Sequence, residues 1–323
     1  MVGMKLLLCS VPLLLLGQET ERCFGNPSLP LCDAVFGMEV AGEALCLQPS
    51  VEGVSYSIRN DIRGNGTPGG PILDLKPSWQ PAFRIACSYL PNITARLVWM
   101  HLAGTTESRA HDDLSFPNLG LEELWIPPMS SLVISQKASL HWYLDLDVVD
   151  LEVGKRYAVS PFLSFNPACG LRIARIDQSF HARYHSSSQI SSAQAENDFL
   201  SVGVRMGLDS EWILVSDWSI QVKGAAALLY GRFETLYESP QEEIKEDFYR
   251  LEPNAEFGVG IGWKRCLSNG YCQLGFRFGY EAQIFWDQNQ FRRFLGSDAP
   301  TVALQQVSNL SVQGFSLRGQ VAF

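Results

Sequence analysis

Little in this sequence is charged. Asp, Glu, Lys and Arg make up 18% of its 323 residues, against roughly 25% in an ordinary globular domain. The balance is acidic, with a formal net charge of −9, so the basic face of a nucleic-acid-binding chain is missing. Also missing is any later apolar run of membrane-helix length. Such a helix needs about 20 residues, and nothing beyond the N-terminal segment approaches that. Membrane association therefore falls to strands. The eight cysteines contain no Cys-x2-Cys pair, which removes the usual structural zinc patterns. There is no Gly-x-Ser-x-Gly elbow, no repeat of roughly 20–50 residues and no low-complexity tract.

The N-terminus does carry an apolar run. Lys5 precedes Leu6 to Leu16, which is too short for a membrane helix and the right length for a signal-peptide core. We expect a signal peptide over 1–22, cut between Gly17 and Cys23, then a short periplasmic segment over 23–34. Loss of Cys9 would leave Cys23, Cys32, Cys46, Cys87, Cys169, Cys266 and Cys272. An odd count leaves at least one thiol free or paired with another chain. Cys23 and Cys32 bracket "FGNPSLPL", and Cys266 and Cys272 flank "LSNGY", so each pair is a candidate local bridge.

Within residues 35–323 several segments alternate with period two, the mark of a strand with one apolar and one polar face; the first, 35–58, contains Pro49 and alternates poorly. Leu274, Phe276, Phe278, Tyr280, Ala282, Ile284 and Trp286 alternate with Gln273, Gly275, Arg277, Gly279, Glu281 and Gln283; Phe285 breaks the pattern. Val202, Val204, Met206, Leu208 and Trp212 alternate with Gly203, Arg205, Gly207, Asp209 and Glu211. Phe257 to Trp263, Trp218 to Lys223 and Phe83 to Tyr89 behave alike. The polar face carries glycine and charges of both signs, which suits a confined interior. A soluble β-sandwich would carry many Lys, Glu and Thr there. The other face is bulky. Trp212, Trp218, Trp263 and Trp286 sit near its ends, as the aromatic girdles of a membrane barrel do, with Phe276 and Phe278 between them against lipid.

The expected fold is therefore all-β: a transmembrane antiparallel β-barrel of about ten strands, within a range of eight to fourteen. The segments are 35–58, 80–90, 93–103, 138–156, 163–183, 197–213, 218–233, 248–263, 271–288 and 308–323. The stretch 138–156 slips phase between Val148 and Leu151, which predicts a bulge. Tight turns at Pro91–Asn92 and near Ser160, Ser216 and Asn269 alternate with long polar connections over 59–81, 103–137, 186–197, 234–247 and 292–307. Short periplasmic turns opposite long outer loops are the barrel arrangement. An even count puts both termini on the periplasmic side. The final alternation, "LSVQGFSLRGQVAF", reads as the closing strand, and Phe323 as a terminal aromatic for assembly machinery to read.

Several stretches carry a resemblance. "LDLDVVDLEVGKRYAVSPFLSFNPACGLRIARIDQSF", "VGVRMGLDSEWILVSDWSIQVKGAAALLYGRFE", "FGYEAQIFWDQNQF" and "LSVQGFSLRGQVAF" resemble the MOMP-like outer-membrane proteins of Legionella and Chlamydia-related bacteria. The resemblance spans most of residues 35–323. It implies an outer-membrane β-barrel with a pore-forming or major surface role, and it favours intermolecular cysteine cross-links. Cys46, Cys169 and the region 104–137 depart from it.

The functional candidates are the charges that alternation places in the lumen: Asp145, Asp147, Arg172, Arg205, Asp209, Lys223, Arg277, Glu281 and Arg318. A ring of charge sets ion selectivity; alternatively, the same groups pair across a filled interior and hold the barrel shut, as small barrels do. We expect a porin-like protein passing small polar solutes, with no cofactor, no metal and no enzymatic activity. The alternatives are a non-conducting surface or envelope protein acting through its loops and, third, an outer-membrane hydrolase. His181 and His185 share a strand face but stand too far apart for one metal, and His111 beside Asp112 and Asp113 reads as a solvated loop. The expected partners are outer-membrane lipids, the barrel assembly machinery and, as homo-oligomers or disulfide-linked envelope proteins, other chains.

Overall fold

The computed structural model describes residues 37–61, 70–90, 93–112, 119–126, 134–187, 189–215, 217–240, 242–267, 272–295 and 302–323. The expected signal peptide, the segment 23–34, Cys23, Cys32 and Asp113 lie outside them.

The strands are β1 (Met38–Val51), β2 (Ser55–Asp61), β3 (Ile72–Asp74), β4 (Gln80–Tyr89), β5 (Thr94–His111), β6 (Leu119–Glu123), β7 (Ile134–Ser135), β8 (Lys137–Gly154), β9 (Tyr157–Ser160), β10 (Leu163–His185), β11 (Ile190–Val215), β12 (Trp218–Glu238), β13 (Glu243–Leu267), β14 (Cys272–Leu295) and β15 (Val302–Ala322). Ten of them form the wall. Each pairs antiparallel with the next, in the order β1, β4, β5, β8, β10, β11, β12, β13, β14, β15. The ring closes because β15 pairs with β1, Glu39 opposite Ala322 through Val51 opposite Leu310. A closed sheet has no edge to protect. The barrel and its strand number are as the alternation implied. β9 is a short addition against the start of β10.

The strands are longer than a membrane requires. β10 has 23 residues and β11 has 26, where about 9–11 tilted residues cross the hydrocarbon. The excess lies at one end. At the short-turn end the outer face is apolar: Val204, Met206, Leu208, Phe276, Phe278 and Leu317 are exposed, as are Trp212 and Trp218 at its rim. Trp263 stacks on Phe276 at 6.0 Å, and Trp286 is half-buried where β14 becomes irregular. At the upper margin stand Trp99, Tyr280 and the stacked pair Tyr230 and Tyr249, 5.8 Å apart. Beyond that margin the outer face turns polar, with His101, Asp147, Arg175, Asp198, Arg232 and Asp247.

The inner face inverts at the same height. Below, it is charged. Above, it is apolar: Leu102, Leu140, Trp142, Leu144, Ile176, Phe180, Phe199 and Phe233 are fully buried and form one cluster. A strand that outruns the bilayer meets water outside, so its greasy side turns inward, as in a soluble barrel.

This inversion corrects several expectations. β8 has no bulge: its register with β5 and β10 runs unbroken from Gly154 to Lys137. Phe285 is no exception, because it points inward into the upper cluster. The connections expected over 186–197 and 234–247 are mostly wall, leaving turns in which Ser186 N–H donates to Gln189 O and Ser239 N–H to Glu242 O.

The segment 35–58 is not one strand either. Gly53, at φ 69°, turns the chain out of β1, a conformation glycine adopts without strain. The chain continues into a second sheet, ordered β3-β2-β6-β7. This sheet is a lid on the upper mouth. Its Tyr56 and Leu121, with the flanking Val54 and Trp125, join the wall cluster, with Trp125 stacked 5.8 Å from Phe180. Polar pins hold it. Tyr184 Oη donates to Tyr56 O at 2.6 Å and Tyr237 Oη to Trp125 O at 2.5 Å, while within the lid Trp125 Nε1 donates to Ser55 O at 2.9 Å.

Candidate functional site: a charge-lined lumen

Below the apolar cluster the wall encloses a cavity of about 240 Å³. Its lining reaches residues at the short-turn end, among them Leu90, Thr94, Arg156, Glu211, Lys264 and Gln320. Nine cations line it: Arg84, Arg96, Arg156, Arg172, Arg205, Lys223, Lys264, Arg277 and Arg318.

Most are paired. Arg172 holds Asp150 bidentately, Nε and Nη2 each 2.6 Å from a carboxylate oxygen, and also meets Glu256. Arg205 joins Glu152 and donates to Glu256 at 3.0 Å. Arg84 donates to Glu43 at 2.7 Å and to Glu281 at 2.5 Å, and Lys223 Nζ lies 3.0 Å from Glu281. Arg96 bridges Glu152 at 2.7 Å and Asp209 at 3.1 Å. Nearer the short turns, Lys264 and Arg156 share Glu211, and Arg318 donates to Glu39 at 3.0 Å. Salt bridges this deep are costly to break, because removing one partner strands the other charge away from water.

Arg277 differs. Among the described residues no carboxylate lies within 4.0 Å of it, and its Nε is buried with no acceptor. It is only 9% exposed. Directly across the β14–β15 ladder stands another cation, Arg318.

The lumen thus contains Arg172, Arg205, Asp209, Lys223, Arg277, Glu281 and Arg318. It does not contain Asp145 and Asp147. Both lie on the outer face above the apolar band, because the inward positions of β8 are Leu144, Leu146, Val148, Asp150 and Glu152. Sequence reasoning missed Asp150 and Glu152 by the same one-residue error of phase. It missed Glu43 because the outward residues of β1 are small (Gly42, Ala44 and Cys46) and the alternation is faint. Arg84 was legible beside Phe83 and Ile85.

On the outer wall His101 Nδ1 lies 3.1 Å from Asp147 and 3.7 Å from Asp145, while Trp99 Nε1 donates to Asp147 at 3.0 Å. His101, Asp145 and Asp147 could hold a divalent ion, since their ligand atoms lie within 4.8 Å of one another. The expected Cys266–Cys272 bridge does not form. Cys266 is paired across the ladder with Gln273 and Cys272 with Leu267, so their side chains take opposite faces, and the Cys272 thiol is free. The Cys46, Cys87 and Cys169 thiols are also free and exposed on the outer face. In the lid, burial pushes the Glu122 carboxyl above its ordinary value, and its Oε2 has no donor.

Residues 34–323 match the family described as the Legionella pneumophila major outer membrane protein precursor. The chain belongs to that family. It is an outer-membrane protein, and the resemblance read from its motifs is the family that matches. No individually curated protein sequence matches it. Among solved structures it is similar to the outer membrane protease OmpT from Escherichia coli, at 10% identity and a TM-score of 0.48, covering 91% of this chain and 100% of that one. It is also similar to the translocator domain of the autotransporter NalP from Neisseria meningitidis (9%, 0.35, covering 90% and 89%). A third is the Pseudomonas putida toluene transporter TodX (10%, 0.31, covering 91% and 92%).

Proposed function

We propose that this major-outer-membrane-protein relative is a porin-like protein, closed at its outer mouth in the state described here. Small polar solutes or ions would diffuse passively through the charged lumen when the lid and the apolar cluster under it yield. The observation that carries this reading is the cavity itself: a polar, charge-lined space inside a membrane wall, reaching the periplasmic end. Its upper limit includes a lid built from inserted segments rather than from the wall, and such a segment can move without opening the barrel. The reading involves no cofactor and no enzymatic step.

A second reading is favoured by the seal. Apolar constrictions resist wetting and block ions, and here wall residues contribute as well as the lid. A non-conducting envelope protein, acting through its outer surface and joined to like chains or other envelope proteins, fits that feature.

Planar-bilayer recording of the purified protein separates the two. The expected result is rare openings in the wild type and frequent openings of the same unitary size when Trp125→Ala and Tyr184→Phe loosen the lid. Arg277→Ala should change the unitary current. Silence from both wild type and loosened protein would replace the porin with the envelope reading.

A further inference from the structure

We infer that the lumen holds a specific anion site at Arg277, suited to a small oxyanion such as a phosphate or carboxylate group. Eight carboxylates serve the nine cations of the cavity, and each lies within 4.0 Å of at least one of them. Among the described residues Arg277 is the cation left over. Its guanidinium is held away from bulk water, its Nε has no acceptor, and it stands opposite Arg318 rather than opposite an acid. An unpaired charge so placed is costly, and a bound anion offsets that cost. The cavity that Arg277 lines leaves room for one. On neighbouring β13, a Cβ at Gly260 would fall 2.8 Å from Arg277 Nε, so glycine is what lets the guanidinium lie along the wall. A planar guanidinium matches a carboxylate or phosphate edge with two parallel hydrogen bonds. As a statement of which solutes the lumen favours, this rests on the porin reading; as a binding site, it does not.

The test is therefore equilibrium binding. Inorganic phosphate is titrated calorimetrically into detergent-solubilised full-length protein at low chloride. The expected result is one saturable site, weakened at least about 10-fold by Arg277→Gln and unchanged by Arg232→Gln on the outer wall. Arg277→Lys keeps the charge without the fork. It should keep a bromide peak in halide-soaked crystals while losing most phosphate affinity, which separates a lost site from a lost fold. Phosphate binding that is absent from the wild type, or equal in Arg277→Gln, overturns the inference even if the protein conducts. Binding without any conductance upholds the site and removes the pore.

Discussion

Asp147 and Asp150 stand three positions apart on β8 and face opposite sides of one wall. Asp147 accepts from Trp99 on the outside; Asp150 is clamped by Arg172 inside. The two carboxylates therefore differ in what their loss exposes. Neutralising Asp150 takes one of two carboxylates from a buried guanidinium that Glu256 still contacts, an effect of about 1–3 kcal/mol. Neutralising Asp147 disturbs a part-exposed hydrogen bond, worth under about 1 kcal/mol. In urea titrations of the refolded barrel in lipid, Asp150→Asn should lower the midpoint clearly and Asp147→Asn barely move it. Equal effects would contradict the facing.

The lid should yield before the wall. Trp125 stacks on Phe180 and donates to Ser55 O. Its truncation to alanine removes a large buried ring, at about 3–5 kcal/mol, from a lid otherwise seated on the cluster by Val54, Tyr56 and Leu121. Limited proteolysis of Trp125→Ala should cut within the lid segments while the ten-stranded wall stays whole. Wild-type resistance in the variant would mean that the lid does not depend on this contact.

The lid should also respond to pH. Glu122 has its carboxyl raised by burial. A raised acid stabilises the folded form fully below the unfolded value of 4.5, and that contribution fades as pH rises through the folded value. Amide exchange in β2 and β6, corrected for intrinsic rate, should therefore be slower at pH 4 than at pH 8. Glu122→Gln should remove most of the difference, whereas a difference that persists would place the titrating group elsewhere.

How far the sequence could be read follows from β8 and β14. Period-two alternation located most of the wall strands, because each of those segments keeps one greasy face and one polar one; β1, with Gly42, Ala44 and Cys46 outward, alternates only faintly. It failed where the meaning of those faces changes. "HWYLDLDVVDLEV" places polar residues outward at Asp145 and Asp147 and inward at Asp150 and Glu152, so a reader assuming one environment inserts a bulge that the register lacks. Phe285 looked anomalous for the same reason. The lid was illegible because its strands are short, from β7 with 2 residues to β2 with 7, and alternate against an apolar mouth that no local pattern reveals. Ion pairing was also out of reach, since Arg84 and Glu281 are 197 residues apart.

The opposed facing of Cys266 and Cys272 predicts a chemical outcome. Cys272 lies on the outer face beside Leu267 with a free thiol, and Cys266, whose sulfur is already in a disulfide, turns toward Gln273. Mild oxidation of the folded protein should leave no Cys266–Cys272 peptide in non-reducing mass spectra. Recovery of that linked peptide from folded barrels would mean that the β13–β14 register near the turn is wrong.

The seam makes a final, separable demand. The backbone of Phe323 accepts hydrogen bonds from the N–H groups of Gly37 and Met38 and donates one to Met38 O at 2.9 Å, while the residue as a whole is 56% exposed. The main chain thus closes the barrel, and the side chain contributes little to that closure. Phe323→Ala keeps all three backbone bonds, so spontaneous refolding into vesicles should proceed at close to the wild-type yield. Deleting the residue removes those bonds and should lower the yield. If assembly machinery reads the terminal aromatic, Phe323→Ala should nonetheless accumulate poorly in the outer membrane of cells. Equal cellular levels of Phe323→Ala and wild type would confine the role of this residue to its main chain.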